Sequence, residues 1–249
     1  MSDAALVRRD DRDGVAVVTL VDEARRNALS GAMVDQIVAT FDALEADDGI
    51  TAAVVTGAPP AFCSGADVGN LAHLSSDAGA SQRGSVRGVY AGFLRVLDSS
   101  LPTIAAINGP AIGAGANLAL ACDVRLIGES GWFDPKFPRI GLHPGGGHTW
   151  LLERAVGPQT AAAVLLFGQG LDAPRAVASG LAWSRHDDDA LVDAAVTLAS
   201  RSAKVPKPLI AKVKQTLREM PFQASFADAV DVEIERQTWS FGQGWFGRS

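Results

Sequence analysis

The chain has 249 residues, of which 47% are hydrophobic and 20% charged. That is enough apolar matter for one large folded domain, alone or with a small appendage, and it excludes a disordered chain. A formal net charge of -6 excludes a general nucleic-acid binder, because neutralising phosphates takes a surplus of Lys and Arg.

The opening MSDAALVRRDDRDG places acidic residues where an export signal needs a basic start and an apolar run; a cytoplasmic protein is expected. Gly14 to Val21 (GVAVVTLV) is β-branched and apolar, as a strand covered on both faces would be. Ser30 can cap a helix over about 31–47, with Met33, Ile37, Phe41 and Leu44 at helical spacing on its core face. Thr51 to Thr56 predicts a second buried strand, broken by Gly-Ala-Pro-Pro-Ala, and Thr103 to Ile107 a third, broken at Asn108-Gly109-Pro110. Each strand runs into a glycine-bearing turn and then a helix, the pattern of an α/β sheet that presents its strand ends to a ligand. Ser99 to Cys122 carries no charge, but its prolines, glycines and asparagines favour a buried strand and helix over a membrane span. From Leu151 onward helices are expected over roughly 158–168, 173–180, 188–203, 206–219 and 223–240.

Two turns carry the candidate chemistry: Phe62-Cys63-Ser64-Gly65-Ala66-Asp67, and Gly113-Ala114-Gly115-Ala116-Asn117 with a helix opening at about Gly115. Small residues leave backbone N–H groups accessible, and a helix start adds unpaired donors and a positive dipole end. Two such amides aimed at one oxygen would stabilise a developing negative charge. The Gly-x-Gly run does not fit a dinucleotide fingerprint, since it follows the third strand and Leu118 stands where its third glycine belongs. Cys63 and Cys122 are expected to be reduced thiols, and no His/Cys set has metal-ligand spacing, so no metal and no separate cofactor is expected.

Taken in order, EARRNALS (23–30), TGAPPAFCSGADVGNL (56–71), INGPAIGAGANLALACDVRL (107–126) and GLHPGGGHTWLLERAVG (141–157) resemble the diagnostic stretches of the enoyl-CoA hydratase/isomerase, or crotonase, family over about residues 12–220. The resemblance implies an α/β fold: a crotonase-like spiral of ββα units, here assigned to 1–200, and a helical oligomerisation region, 201–249, that makes homotrimers or hexamers. It also implies a substrate, an acyl-CoA thioester, with coenzyme A as part of that substrate. The amides of Ala66 and Ala114 would form an oxyanion hole, and Arg25, Ala28, Ala66, Asp67 and Val68 would line the CoA path. Arg25 and Arg26 suit CoA phosphates through charge-assisted, bidentate contacts, while Asp67 is expected to shape its own loop.

Where hydratases of the family place two glutamates, this chain has Asn117 and Phe137; where some isomerases place an aspartate it has Gly145. An amide is no general base and a phenyl ring is neither acid nor base. Asn117 is therefore expected to orient substrate or water, leaving His143, His148 and Asp134 as candidates for proton transfer; His73, after the first turn, is expected in solvent. The chain ends FGQGWFGRS, before the family's usual aromatic and lysine-rich helix, and Trp239, Trp245 and Phe246 would cover that surface or anchor subunit contacts. Two functions stand: an acyl-CoA enzyme acting through a thioester enolate, and a non-catalytic acyl-CoA-binding protein that has lost both glutamates.

Overall fold

The computed structural model describes residues 5–67 and 80–247. Val68 and His73 lie outside them. A six-stranded sheet runs in the order β1 (Val7–Arg12), β2 (Val15–Leu20), β3 (Ala52–Gly57), β4 (Thr103–Ile107), β6 (Val124–Gly128) and β9 (Ser184–His186). All neighbours are parallel except β1 and β2. A smaller sheet joins β5 (Pro110–Ile112), β7 (Trp132–Asp134) and β8 (Leu171–Asp172).

Strand periodicity divides the core in two. Val15, Val17, Ala52, Val54 and Ile104 face a helix, α6 (Leu191–Ala199), through Leu191, Ala195 and Ala199. Ala16, Val18, Leu20, Ala53 and Val55 face the opposite side, where α1 (Gly31–Ala46), α2 (Ala80–Asp98) and α3 (Ala114–Ala121) pack. Ser30 caps α1 as expected, its hydroxyl accepting from the Met33 amide, and the stripe Met33, Ile37, Phe41, Leu44 is buried. The charge-free stretch becomes β4, β5 and α3, all internal. Among the described residues no helix is long and apolar enough to cross a membrane.

The structure departs from the sequence reading in three places. β1 is a strand although five of its six residues are charged and those five are exposed; it pairs with β2 through the tight Asp13-Gly14 turn, whose φ angles are 51° and 79°. A charged edge is also one that does not recruit further strands. Second, the turn after β4 leads into β5 before the helix, because Pro110–Ile112 pairs with Trp132–Asp134. Third, the helix expected near 158 is the second half of α4 (His148–Phe167), which is divided at Gly157 (φ 74°, ψ 168°) ahead of Pro158. The remaining helices are α5 (Ala173–Ala178), α7 (Lys207–Glu219) and α8 (Phe226–Phe241).

Helix α7 is fastened to the sheet by one buried cation. The Lys214 ammonium is 2.6 Å from Asp123 Oδ2 and donates to Leu101 O at 2.5 Å. The same Asp123 oxygen accepts from the Thr103 amide and hydroxyl. Breaking a fully buried pair costs about 3–5 kcal/mol, reduced here to roughly 2–3 kcal/mol because Asp123 keeps some contact with solvent. Lys214→Met is expected to lower the thermal midpoint by roughly 4–12 °C at ~2–4 °C per kcal/mol. Amide exchange in α7 and α8 should accelerate before that in the sheet.

Candidate active site

The first turn is positioned by a residue that the sequence pattern does not single out, Asn27. It is fully buried; its carboxamide nitrogen donates to Ala58 O at 2.8 Å and Ala61 O at 2.7 Å, and its oxygen accepts from the Asp22 amide. Arg26 and Asn27 both have positive φ, 52° and 58°, a backbone that asparagine tolerates better than most residues. The local signal was therefore an asparagine at the end of a charged turn, and nothing in the spacing pointed to its partners. Asn27 seats residues 22–30 against the loop after β3. Ser64 then donates through its amide to Arg26 O (2.9 Å) and through its hydroxyl to Arg25 O (2.8 Å), and the Leu29 amide donates to Gly65 O (2.8 Å). Arg25, Arg26 and Ala28 thus adjoin the 63–67 turn, with both guanidinium groups exposed and Ala28 buried. Asp67 follows in the same turn, its amide directed at Leu29 O.

The second turn meets the first directly. The Cys63 amide donates to Pro110 O, and the Ile112 amide to Cys63 O at 2.9 Å. Gly65 has φ 102°, and a Cβ on it would lie 2.7 Å from Ile112 O and 3.4 Å from Ala114 N. Only glycine meets both demands, the positive φ and the close approach. Gly115 is needed for space alone: a Cβ there would lie 2.1 Å from Cys63 O. So Ala66 and Ala114 flank one junction, and among the described residues neither amide has a protein acceptor. Ala114 is the first residue of α3, where backbone donors have no partner within the helix. Cys63, fully buried beside them, has its thiol pushed up to about 12 by burial, which removes it as a nucleophile.

Of the proton-transfer candidates, one is brought to Asn117. Asn117 is fully buried in the first turn of α3; its nitrogen donates to Gly145 O at 2.9 Å, and its oxygen is 2.5 Å from His148 Nδ1. The carboxamide expected to orient substrate or water thus has a protein partner at each end. Phe137 stands edge-on to the His148 ring at 5.3 Å, and Phe133 stacks on it at 6.2 Å. The two positions lacking glutamate therefore meet around an imidazole. His143 is exposed, with Nδ1 against Pro144 O, and the carboxylate of Asp134 is taken up by Arg139; neither contacts Asn117. A surface cavity of about 1060 Å³ lies elsewhere, lined by Arg8, Arg12, Asp189 and Asp193 among others, and includes neither turn.

Burial lowers the His148 pKa to about 4, so the folded protein holds the neutral ring while the unfolded chain takes up a proton near pH 6.5. Stability from this group is complete above pH 6.5 and is lost as pH falls towards 4, by roughly 3 kcal/mol in total. His148→Gln is expected to remove that portion: urea midpoints of wild type and variant, compared from pH 7 to 4.5, should converge as the pH falls.

A family model described as enoyl-CoA hydratase/isomerase matches residues 10–240. A probable enoyl-CoA hydratase of Mycobacterium tuberculosis is 48% identical over 204 residues, 82% of this chain and 78% of that protein. The 1,2-epoxyphenylacetyl-CoA isomerase of Escherichia coli is 35% identical over 206 residues, 82% of this chain and 78% of that protein. A Thermobifida fusca protein of the enoyl-CoA hydratase type, solved in complex with CoA, superposes with a TM-score of 0.84 at 27% identity, covering 96% of this chain and 94% of that one.

Proposed function

Because the chain belongs to the enoyl-CoA hydratase/isomerase family, we propose that it is an enzyme that holds an acyl-CoA thioester with its carbonyl oxygen between the amides of Ala66 and Ala114. The observation that carries this is the junction at Gly65, where the two turns touch and leave both amides without a protein acceptor. When an α-proton leaves or a nucleophile adds at the β-carbon, negative charge moves onto the thioester oxygen. Preformed donors, one at a helix start, stabilise that enolate without reorganising. Arg25 and Arg26, exposed beside the first turn, would receive the CoA phosphates, with Ala28, Ala66 and Asp67 along the path to them. Exposed Leu166, Phe167 and Phe226 are apolar surface suited to association of copies into a homotrimer or a dimer of trimers, which sedimentation at varied concentration would test.

The test is exchange of α-protons of a saturated acyl-CoA in deuterated buffer, run beside hydration of 2-enoyl-CoA. Exchange reads enolate formation whatever the subsequent step. The absence of a carboxylate at positions 117, 137 and 145 favours a second reading, a protein that binds acyl-CoA without turnover. Saturable binding with neither exchange nor hydration would establish that one.

A further inference from the structure

His148 has one ring nitrogen engaged and one bare. Asn117 already uses its nitrogen to donate to Gly145 O, so the atom facing His148 is the carboxamide oxygen, which only accepts. The Nδ1 of His148 must carry the proton, and in the neutral ring Nε2 is then an open lone pair. That Nε2 is buried and has no hydrogen-bond partner among the described residues, in a surround of Phe133 and Phe137. Buried acceptors in native proteins are nearly always paired, and the exceptions call for an explanation. The ring is hung from the helical turn that presents the Ala114 amide, since Asn117 lies three residues further along α3.

A bare acceptor selects a donor. The thioester group offers none, as its oxygen and sulfur only accept. We propose that Nε2 of His148 accepts a hydrogen bond from an O–H at the β-carbon of the acyl chain: the hydroxyl of a 3-hydroxyacyl-CoA, or the water that becomes it. This rests on the acyl-CoA reading above and assigns His148 the proton traffic for which positions 117 and 137 carry no carboxylate. As the water oxygen bonds to the β-carbon of a 2-enoyl thioester, its proton passes to Nε2, and the α–β π electrons shift to form the enolate held by the two amides. The imidazolium then returns a proton from Nε2 to the α-carbon, the thioester carbonyl re-forms, and nothing else is consumed. Burial, which makes the charged ring costly, favours that return. Asn117 is a positioning residue that fixes the tautomer.

The test uses the full chain labelled with nitrogen-15 histidine, observed with a 3-hydroxyacyl-CoA and with the saturated acyl-CoA of equal chain length. The His148 signal is recognised as the imidazole that keeps its Nδ1 proton and does not titrate near neutrality. The hydroxylated ligand should shift its Nε2 resonance upfield, and the saturated one should leave it in place. Binding of both with Nε2 unmoved overturns the assignment; binding of neither overturns the acyl-CoA reading along with it. In parallel, His148→Gln should lower kcat for 2-enoyl-CoA hydration by about 10²–10⁴-fold, the range of lost general acid–base catalysis, with KM little changed. An unchanged kcat makes His148 structural and overturns the proposal, while leaving the two amides to be judged by their own variant.

Discussion

Ala114→Pro is expected to lower acyl-CoA α-proton exchange and enoyl-CoA hydration by about 10²–10³-fold, the usual effect of deleting one oxyanion donor. Ala114 is the first residue of α3, the helical position where proline is accepted: its fixed φ suits the helix, and the missing N–H had no intrahelical partner. The preceding Gly113 has φ 55° and ψ -118°, a conformation a glycine keeps before proline. The substitution therefore removes the donor while suiting the local backbone conformation. Circular dichroism and the thermal midpoint should remain near wild type, and CoA binding, read by competition, should persist. Turnover within a few-fold of wild type would show that the Ala114 amide does not hold the reacting oxygen.

Gly115→Ala, one residue along, is expected to act on the fold instead. Its Cβ would lie 2.1 Å from Cys63 O and 2.8 Å from the Cys63 carbonyl carbon. Those are backbone atoms held by bonds to Pro110 and Ile112, so no rotamer change relieves the clash. Inserting one methyl into a packed core typically costs about 1–3 kcal/mol, and this site lies at or beyond the upper end because both sides are backbone. At ~2–4 °C per kcal/mol the thermal midpoint should fall by roughly 10 °C. Activity should fall too, since the clash forces apart the turns that carry Ala66 and Ala114. A variant that folds with wild-type stability would mean that α3 is free to move away from the Cys63 turn.

The contrast between the neighbouring residues 114 and 115 shows what spacing along a chain can reveal. The Gly-Ala-Gly run marked a place where backbone comes close to something. Only the structure separates a glycine that admits Cys63 from an alanine whose amide is left open. The same holds for the asparagine at 117: its chemistry excluded it as a base from the first, but its role depends on His148, 31 residues away. His148, His143 and Asp134 were equal candidates until the path of the chain gave Asp134 to Arg139, left His143 in solvent and brought His148 to Asn117.

By itself the sequence determined the elements whose energetics are local or periodic. These are the apolar β-branched strands at 15–20, 52–57 and 103–107, the Ser30 cap with its stripe of core residues, and the two glycine-bearing turns. Their ordered resemblance to one family was legible for the same reason, since each motif is a short run with its own conformational demand. Tertiary structure alone decided the charged strand β1, which pairs because β2 offers an edge, the seating of the first turn by Asn27, the anchoring of α7 by Lys214 on Asp123, and the bare nitrogen of His148. Each is a contact between residues distant along the chain, or the lack of one. Its free energy exists only after the backbone has closed the intervening loop, so no local preference in the sequence records it.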